Sequence, residues 1–448
     1  MCRSNLNFFK KCRFIITGSD RRAETFIDRL RERNEVLRGF VYAPKDQQIL
    51  LNQLFEMMAR AQNPEFLETL YREETRAAKH GQKSLPYREL ALTGFFSNAV
   101  QSRDPHRRAR RLALSDIGPG IVVAASQPAE MAIFEHCPPS QRRRLIYIEW
   151  TFDEYYIDMT EAREKAEKMA NMLGASKPGQ LLLPYCYGYV EDKKNQRFGL
   201  VLAPPEHIRS GIPSMRTQGF VSQKRMPVSL GAILEAAQGR LEDLSIRFNL
   251  AKRLVNAVHK MHCVNWVHKN IRPGSIMFFP TEDTLSYGKE RRQVMDFSQP
   301  LFVGFGRARV DSSDTGSRRA RSRAPGQITL DEYQHPLKLQ NPDMLYSRFF
   351  DIYSVGCVLL EIGYWRPLRK LVDLPAVIER KDTDEINSIR ESMRQRAESL
   401  SGLTGSMYAG VVAKCLGAIP SGGTVEVDKA ACSKFLAEIM YSLGKCEA

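Results

Sequence analysis

His268-Lys269-Asn270-Ile271-Arg272-Pro273-Gly274-Ser275 sets a histidine, an amide and a hydroxyl at short fixed intervals. A loop of this kind could hold a proton acceptor and a metal ligand side by side, but the residue types suit neither task. Asn270 carries an amide, which is no base at neutral pH, and a positioned base is worth about 10²–10⁴-fold in rate. Ser275 is a poor ligand for a hard divalent cation, which favours carboxylates and carbonyls. Downstream, Gly304-Phe305-Gly306-Arg307-Ala308-Arg309 offers no side-chain ligand at Gly304. Asp296, in Asp296-Phe297-Ser298, is the alternative carboxylate for a metal. Gly118 and Gly120 could bring backbone N–H groups to a phosphate, as candidate cofactor-binding positions. Pro119 between them lacks an N–H, so a plain turn is the simpler account.

The elements that must position these residues follow from periodicity. Phe26, Ile27, Leu30 and Leu37 recur at helical spacing, as do Leu50, Leu51, Leu54, Phe55 and Met58 from about Lys45. Pro64 opens a third short helical piece through Leu67 and Leu70; a polar interval from His80 to Arg88 leads into a less regular region. Short apolar runs at Ile121-Val122-Val123, Met131 to Phe134 and Leu145 to Trp150 predict strands. A helix follows from about Thr160 to Leu173, then strands over Leu181 to Tyr189 and Phe198 to Leu202.

Beyond Pro204-Pro205 the pattern turns helical. Leu244, Phe248, Ala251, Val255, Val258 and His262 form one stripe, with Leu250, Leu254, Ala257 and Met261 beside it. A helix apolar over so wide an arc is largely buried. Asp311 to Gly326 has almost no large apolar residue and predicts a loop, in which Ser322 stands in basic surroundings. Helices over Phe349 to Gly363 and about Lys429 to Leu443 complete the chain.

The 448 residues suffice for two or three domains, and a net charge of +15 is spread along the whole length. Without an aromatic-studded basic segment or zinc-finger spacing, nucleic acid is not the expected partner. The nine cysteines form no C-x-x-C pair, which fits free thiols in a reducing, cytoplasmic setting. The stretch from Phe349 to Trp365 is too short and too charged to span a bilayer, and the N-terminus reads as no secretory signal.

Four segments, in order, resemble landmarks of a protein kinase domain. His268 to Ser275 matches the frame of H-R-D-x-x-x-x-N, and Gly304 to Arg309 matches D-F-G-x-A-R apart from Gly304. Tyr333-Gln334-His335-Pro336 stands where the segment ending in A-P-E lies, and Asp351-Ile352-Tyr353-Ser354-Val355-Gly356 matches D-x-x-S-x-G. In finer detail, Tyr147-Ile148-Glu149-Trp150, Pro300 to Phe305 and Leu360 to Trp365 resemble a fungal group of kinase-like proteins. Those proteins carry an N-terminal helical HeLo-type domain and are associated with prion propagation and incompatibility-type cell death. Lys10 to Ile16 and the helix after it resemble the closing portion of that domain.

The resemblance implies an α+β, two-lobed kinase-like fold over 101–444, with an N-lobe at about 112–204 and a C-lobe at about 205–444, preceded by a helical region over 1–100. It also assigns slots for phosphoryl transfer. The base slot holds Asn270, the second-metal slot Ser275 and the metal-aspartate slot Gly304. His268 is then a structural anchor, and the lysine slot of the third strand, set after Glu149-Trp150, holds Thr151. The implied function is a pseudokinase that binds or scaffolds a protein partner, without a magnesium site and with ATP binding left open. Two rivals stand beside it. One is an atypical active kinase using Asp296; the other is a membrane-associated effector whose basic N-terminal helices are restrained by the kinase-like part.

Overall fold

Every second residue of the strand 144–151 faces a different core, and the rest of the sheet is built around that alternation. Ile146, Ile148 and Trp150 pack with Leu112, Val190 and Val201, while Tyr147 belongs to the main core with Phe198, Leu200 and Leu202. β-branched and aromatic residues suit such a two-sided strand because they fill space on both faces of the pleat.

The computed structural model describes residues 54–79, 87–101, 109–117, 121–122, 131–136, 144–151, 159–205, 227–279, 296–305, 309–310, 327–329, 331–341, 344–374, 377–379, 383–420 and 425–448. Gly118, Gly120, Ser322, the helix expected over 19–39 and the loop 311–326 lie outside them. After helical residues 54–58 come α1 (Pro64–Lys79) and α2 (Tyr87–Gln101). Six strands then form one sheet: β1 (Arg111–Leu112), β2 (Ile121–Val122), β3 (Met131–His136), β4 (Arg144–Thr151), β5 (Cys186–Asp192) and β6 (Arg197–Leu202). Their spatial order is β1-β5-β6-β4-β3-β2, antiparallel throughout except for β1 against β5. The helix α3 (Met159–Leu173) is inserted between β4 and β5 and buries Ala162, Ala166, Met169, Ala170 and Leu173. Gly199 on β6 is required by close packing, because a Cβ there would meet Ile148 at 2.6 Å and the Trp150 ring at 2.9 Å.

The rest is mainly helical. β7 (Val228–Ser229) leads into α4 (Leu230–Ala236), then α5 (Leu244–Cys263), which Asp243 caps by accepting the Ser245 N–H at 2.8 Å. Both apolar stripes of α5 are buried, apart from the half-buried Leu244 at its start. β8 (Trp266–Val267), β9 (Ile276–Phe278) and β10 (Leu301–Phe302) are short, with β9 flanked by β10 and β7. There follow α6 (Pro336–Gln340), α7 (Arg348–Tyr364), α8 (Thr383–Ser399), α9 (Ser401–Leu416) and α10 (Val425–Gly444). From Arg348 to Gly363 every residue of α7 is buried. Among the described residues no helix is long and apolar enough to cross a membrane.

Two expectations are corrected. The strand expected from Leu181 begins only at Cys186: residues 179–181 form a 3-10 turn and Leu182 adopts φ 55°. Pro184 has no N–H to give a ladder, and the buried Leu182 carbonyl instead accepts from Phe302 N–H at 2.8 Å. The region after His80 contains a full helix, α2. Its Leu90 and Ala91 join a small core with Leu54, Phe55, Met58 and Leu67, while Phe96 and Val100 join the main core. Phe96 lies 6.1 Å from the buried Trp266 ring, so α2 fastens the N-terminal helices to the rest of the chain.

Candidate functional site

The loop 268–275, between β8 and β9, is fixed from below by α7. Asp351 lies in the first turn of that helix and is 1% exposed. One of its oxygens accepts the His268 N–H at 3.0 Å and the other accepts the Lys269 N–H at 2.9 Å. Tyr346 Oη donates to it at 2.7 Å, and His262 Nε2 stands 3.1 Å away. These bonds hold Lys269 in the left-handed region, at φ 65°. The Lys269 ammonium lies over the Tyr346 ring, 4.8 Å from its centroid.

His268 is fully buried, with its ring 5.3 Å from that of Phe302 and 5.5 Å from that of Phe305. Burial pushes its pKa down to about 4, so at neutral pH it is an uncharged wedge between aromatic rings. The Ser275 hydroxyl donates to the Arg272 carbonyl at 2.8 Å and accepts the Arg272 N–H at 3.0 Å. Its bonding capacity closes the turn.

Asn270 and Gly304 face each other. The Asn270 amide donates to the Gly304 carbonyl at 3.1 Å, and a Cβ on Gly304 would sit 2.5 Å from Asn270 Nδ2 and 3.3 Å from Ser275 Cβ. Gly304 also has φ 85°, where a side chain costs about 1–2 kcal/mol before any collision. Gly304→Ala is therefore expected to lose at least that much stability. Asn270→Ala in the same chain should recover the collision share, read from urea midpoints in a double-mutant cycle. Strict additivity of the two changes would show that the amide yields freely.

β4 reaches this place through Glu149, the one charged residue between Leu145 and Trp150. The side chain shares the face of Tyr147 and is 1% exposed. Oε2 accepts the Gly304 N–H at 2.9 Å, and Oε1 accepts the Phe305 N–H at 2.6 Å. Burial pushes the Glu149 pKa up to about 7, against the lowering effect of those two donors. Thr151, two residues on, closes the strand opposite Phe198. The side chain of β4 that meets Gly304 is thus Glu149, which sequence reasoning passed over. A glutamate inside an otherwise apolar, β-branched strand was the available signal, because a buried carboxylate needs donors.

Asp296 precedes β10, and its Oδ1 accepts the Ser298 N–H at 2.8 Å, so the carboxylate serves its own turn. Phe297 anchors that turn against Phe278 and Trp365, at 5.2 and 5.6 Å. Among the described residues the one group of possible metal ligands lies elsewhere, at Glu56, His259 and Cys263.

The arrangement holds two chain segments together and engages the polar groups of Asn270, Ser275 and Glu149 within it. Asn270 binds a carbonyl, Ser275 closes a turn, and both oxygens of Glu149 bind N–H groups. No family model and no curated protein matches the sequence.

Proposed function

We propose that this chain is a kinase-like protein without phosphoryl-transfer activity, acting as a binding and signalling scaffold for a protein partner. The strand order β2-β3-β4-β6-β5 with α3 inserted after β4 supports a kinase-like N-lobe, and the long buried α5 before the 268–275 loop supports the matching C-lobe. In that reading β4 is the third strand, whose inward side chain grips the α- and β-phosphates in an active kinase.

One observation carries the proposal: the β4 side chain that reaches Gly304 is the carboxylate of Glu149. An active kinase places a lysine there. A carboxylate offers a phosphate no positive charge in either protonation state, and its ionised form repels one. The lysine and the metal aspartate of an active site are both missing as well. The reading replaces Thr151 by Glu149 in the lysine slot and keeps Asn270, Ser275 and Gly304 as the altered groups. The six described cysteines are free, and a cytoplasmic site of action is part of the proposal. The pathway, fungal cell-death or non-self signalling, rests on the resemblance alone.

The test is a thermal-shift titration of the purified chain with ATP, with and without magnesium, beside a phosphorylation assay on a generic substrate. No magnesium-dependent shift and no phosphate transfer are expected. Magnesium-dependent stabilisation that disappears in Asp296→Ala, together with turnover, would replace the scaffold by an atypical kinase.

A further inference from the structure

His259 and Cys263 are one turn apart on α5, so their side chains share a face, and helical residues 54–58 bring Glu56 up against them. His259 Nε2 is 3.5 Å from Glu56 Oε1, and Cys263 Sγ is 3.8 Å from Nε2 and 3.9 Å from Nδ1. All three donor atoms lie within 4.8 Å of one another. Ligands held at about 2.0–2.3 Å in a tetrahedron stand roughly 3.3–3.7 Å apart, so the His259–Glu56 and His259–Cys263 separations are already close to what an ion needs. His259 is 1% exposed and the Glu56 side chain is 32% exposed, which leaves the cluster open to an ion from one side.

We infer that this cluster is a zinc-class metal site. An imidazole nitrogen, a thiolate and one carboxylate oxygen form a mixed N, S, O set that suits Zn²⁺ and disfavours Mg²⁺ and Ca²⁺, which take oxygen ligands. Three protein ligands leave the fourth position of the tetrahedron to water. On ligation the Cys263 thiol gives up its proton to solvent and binds as thiolate. The Ser433 hydroxyl, on α10, donates to Glu56 Oε1 and orients that carboxylate from outside the metal's own ligand set.

The placement gives the metal a task. Glu56 belongs to the N-terminal helical part, α5 precedes β8 and the 268–275 loop, and α10 is the C-terminal helix. An ion here clips the N-terminal helices onto the remainder at a point separate from the Phe96 contact. The site stands whether or not the 268–275 loop binds nucleotide.

The full chain, stripped by a chelator and dialysed, is titrated with Co²⁺ alone. One equivalent is expected to produce a thiolate-to-cobalt charge-transfer band, which Zn²⁺ then displaces. Cys263→Ser should abolish the band, and Glu56→Gln, at a partly exposed position, should weaken binding about tenfold or more. Circular dichroism melts of the metal-free variants establish that they fold. The inference is overturned if no equivalent is taken up, which leaves a plain His259–Glu56 ion pair. It is overturned equally if uptake is unchanged in both variants, which marks an adventitious surface ion.

Discussion

Asp351→Ala is expected to cost about 3–5 kcal/mol of stability, the range for breaking a buried ionic network by removing one partner. Four groups depend on that carboxylate: the N–H of His268, the N–H of Lys269, the Tyr346 hydroxyl and His262. Each buried donor left without an acceptor costs about 1–3 kcal/mol, and Lys269 also loses what holds its φ of 65°. Against a total stability of about 5–15 kcal/mol the alanine chain sits close to unfolding. Asp351→Asn keeps one acceptor oxygen and should lose less, which keeps the expectation measurable by urea midpoint. The pH dependence has a definite sign. Burial raises the Asp351 pKa, but the bonds from His262 and Tyr346 bring it below its ordinary 3.8. Its stabilising contribution is complete above 3.8 and is lost as pH falls through the lower native value. Asp351→Asn should remove that acid limb, and an alanine variant within about 1 kcal/mol of the parent would refute the anchoring role.

Glu149 should behave in the opposite sense. Glu149→Ala leaves the N–H groups of Gly304 and Phe305 without an acceptor, at about 1–3 kcal/mol each. The parent chain also carries a titration. Burial holds the native pKa at about 7 against an ordinary 4.5. Stability from the protonated form is fully present below 4.5 and is lost as pH rises through about 7. At about 1.4 kcal/mol per pKa unit the swing is about 3 kcal/mol. Glu149→Gln does not titrate, so the parent should lose ground against it between pH 5 and pH 8 in matched denaturation curves. A gap that stays constant across that range would mean that the carboxylate is ionised throughout and that the two N–H donors outweigh its desolvation.

The parts of the fold legible in the sequence were those whose signal is local. The paired stripes of α5 and the apolar run of α7 announce buried helices because helical period and burial are both written along one segment. The groups at Asn270, Ser275 and Gly304 are visible by type alone. α2 was hidden for an equally physical reason. Its Leu90 and Ala91 face one core while Phe96 and Val100 face another, so its apolar residues spread around the helix and no single stripe forms.

What the sequence by itself determined is which chemical groups this chain carries and which helices and strands must be buried. Only the tertiary structure decided which groups meet. Glu149 and Gly304 are 155 residues apart, and nothing in either neighbourhood specifies the other. Glu56 likewise gives no sign of the His259–Cys263 pair on α5. Periodicity reports the local environment of a segment, whereas a hydrogen bond or a metal cluster depends on where the closing of long loops brings distant side chains together.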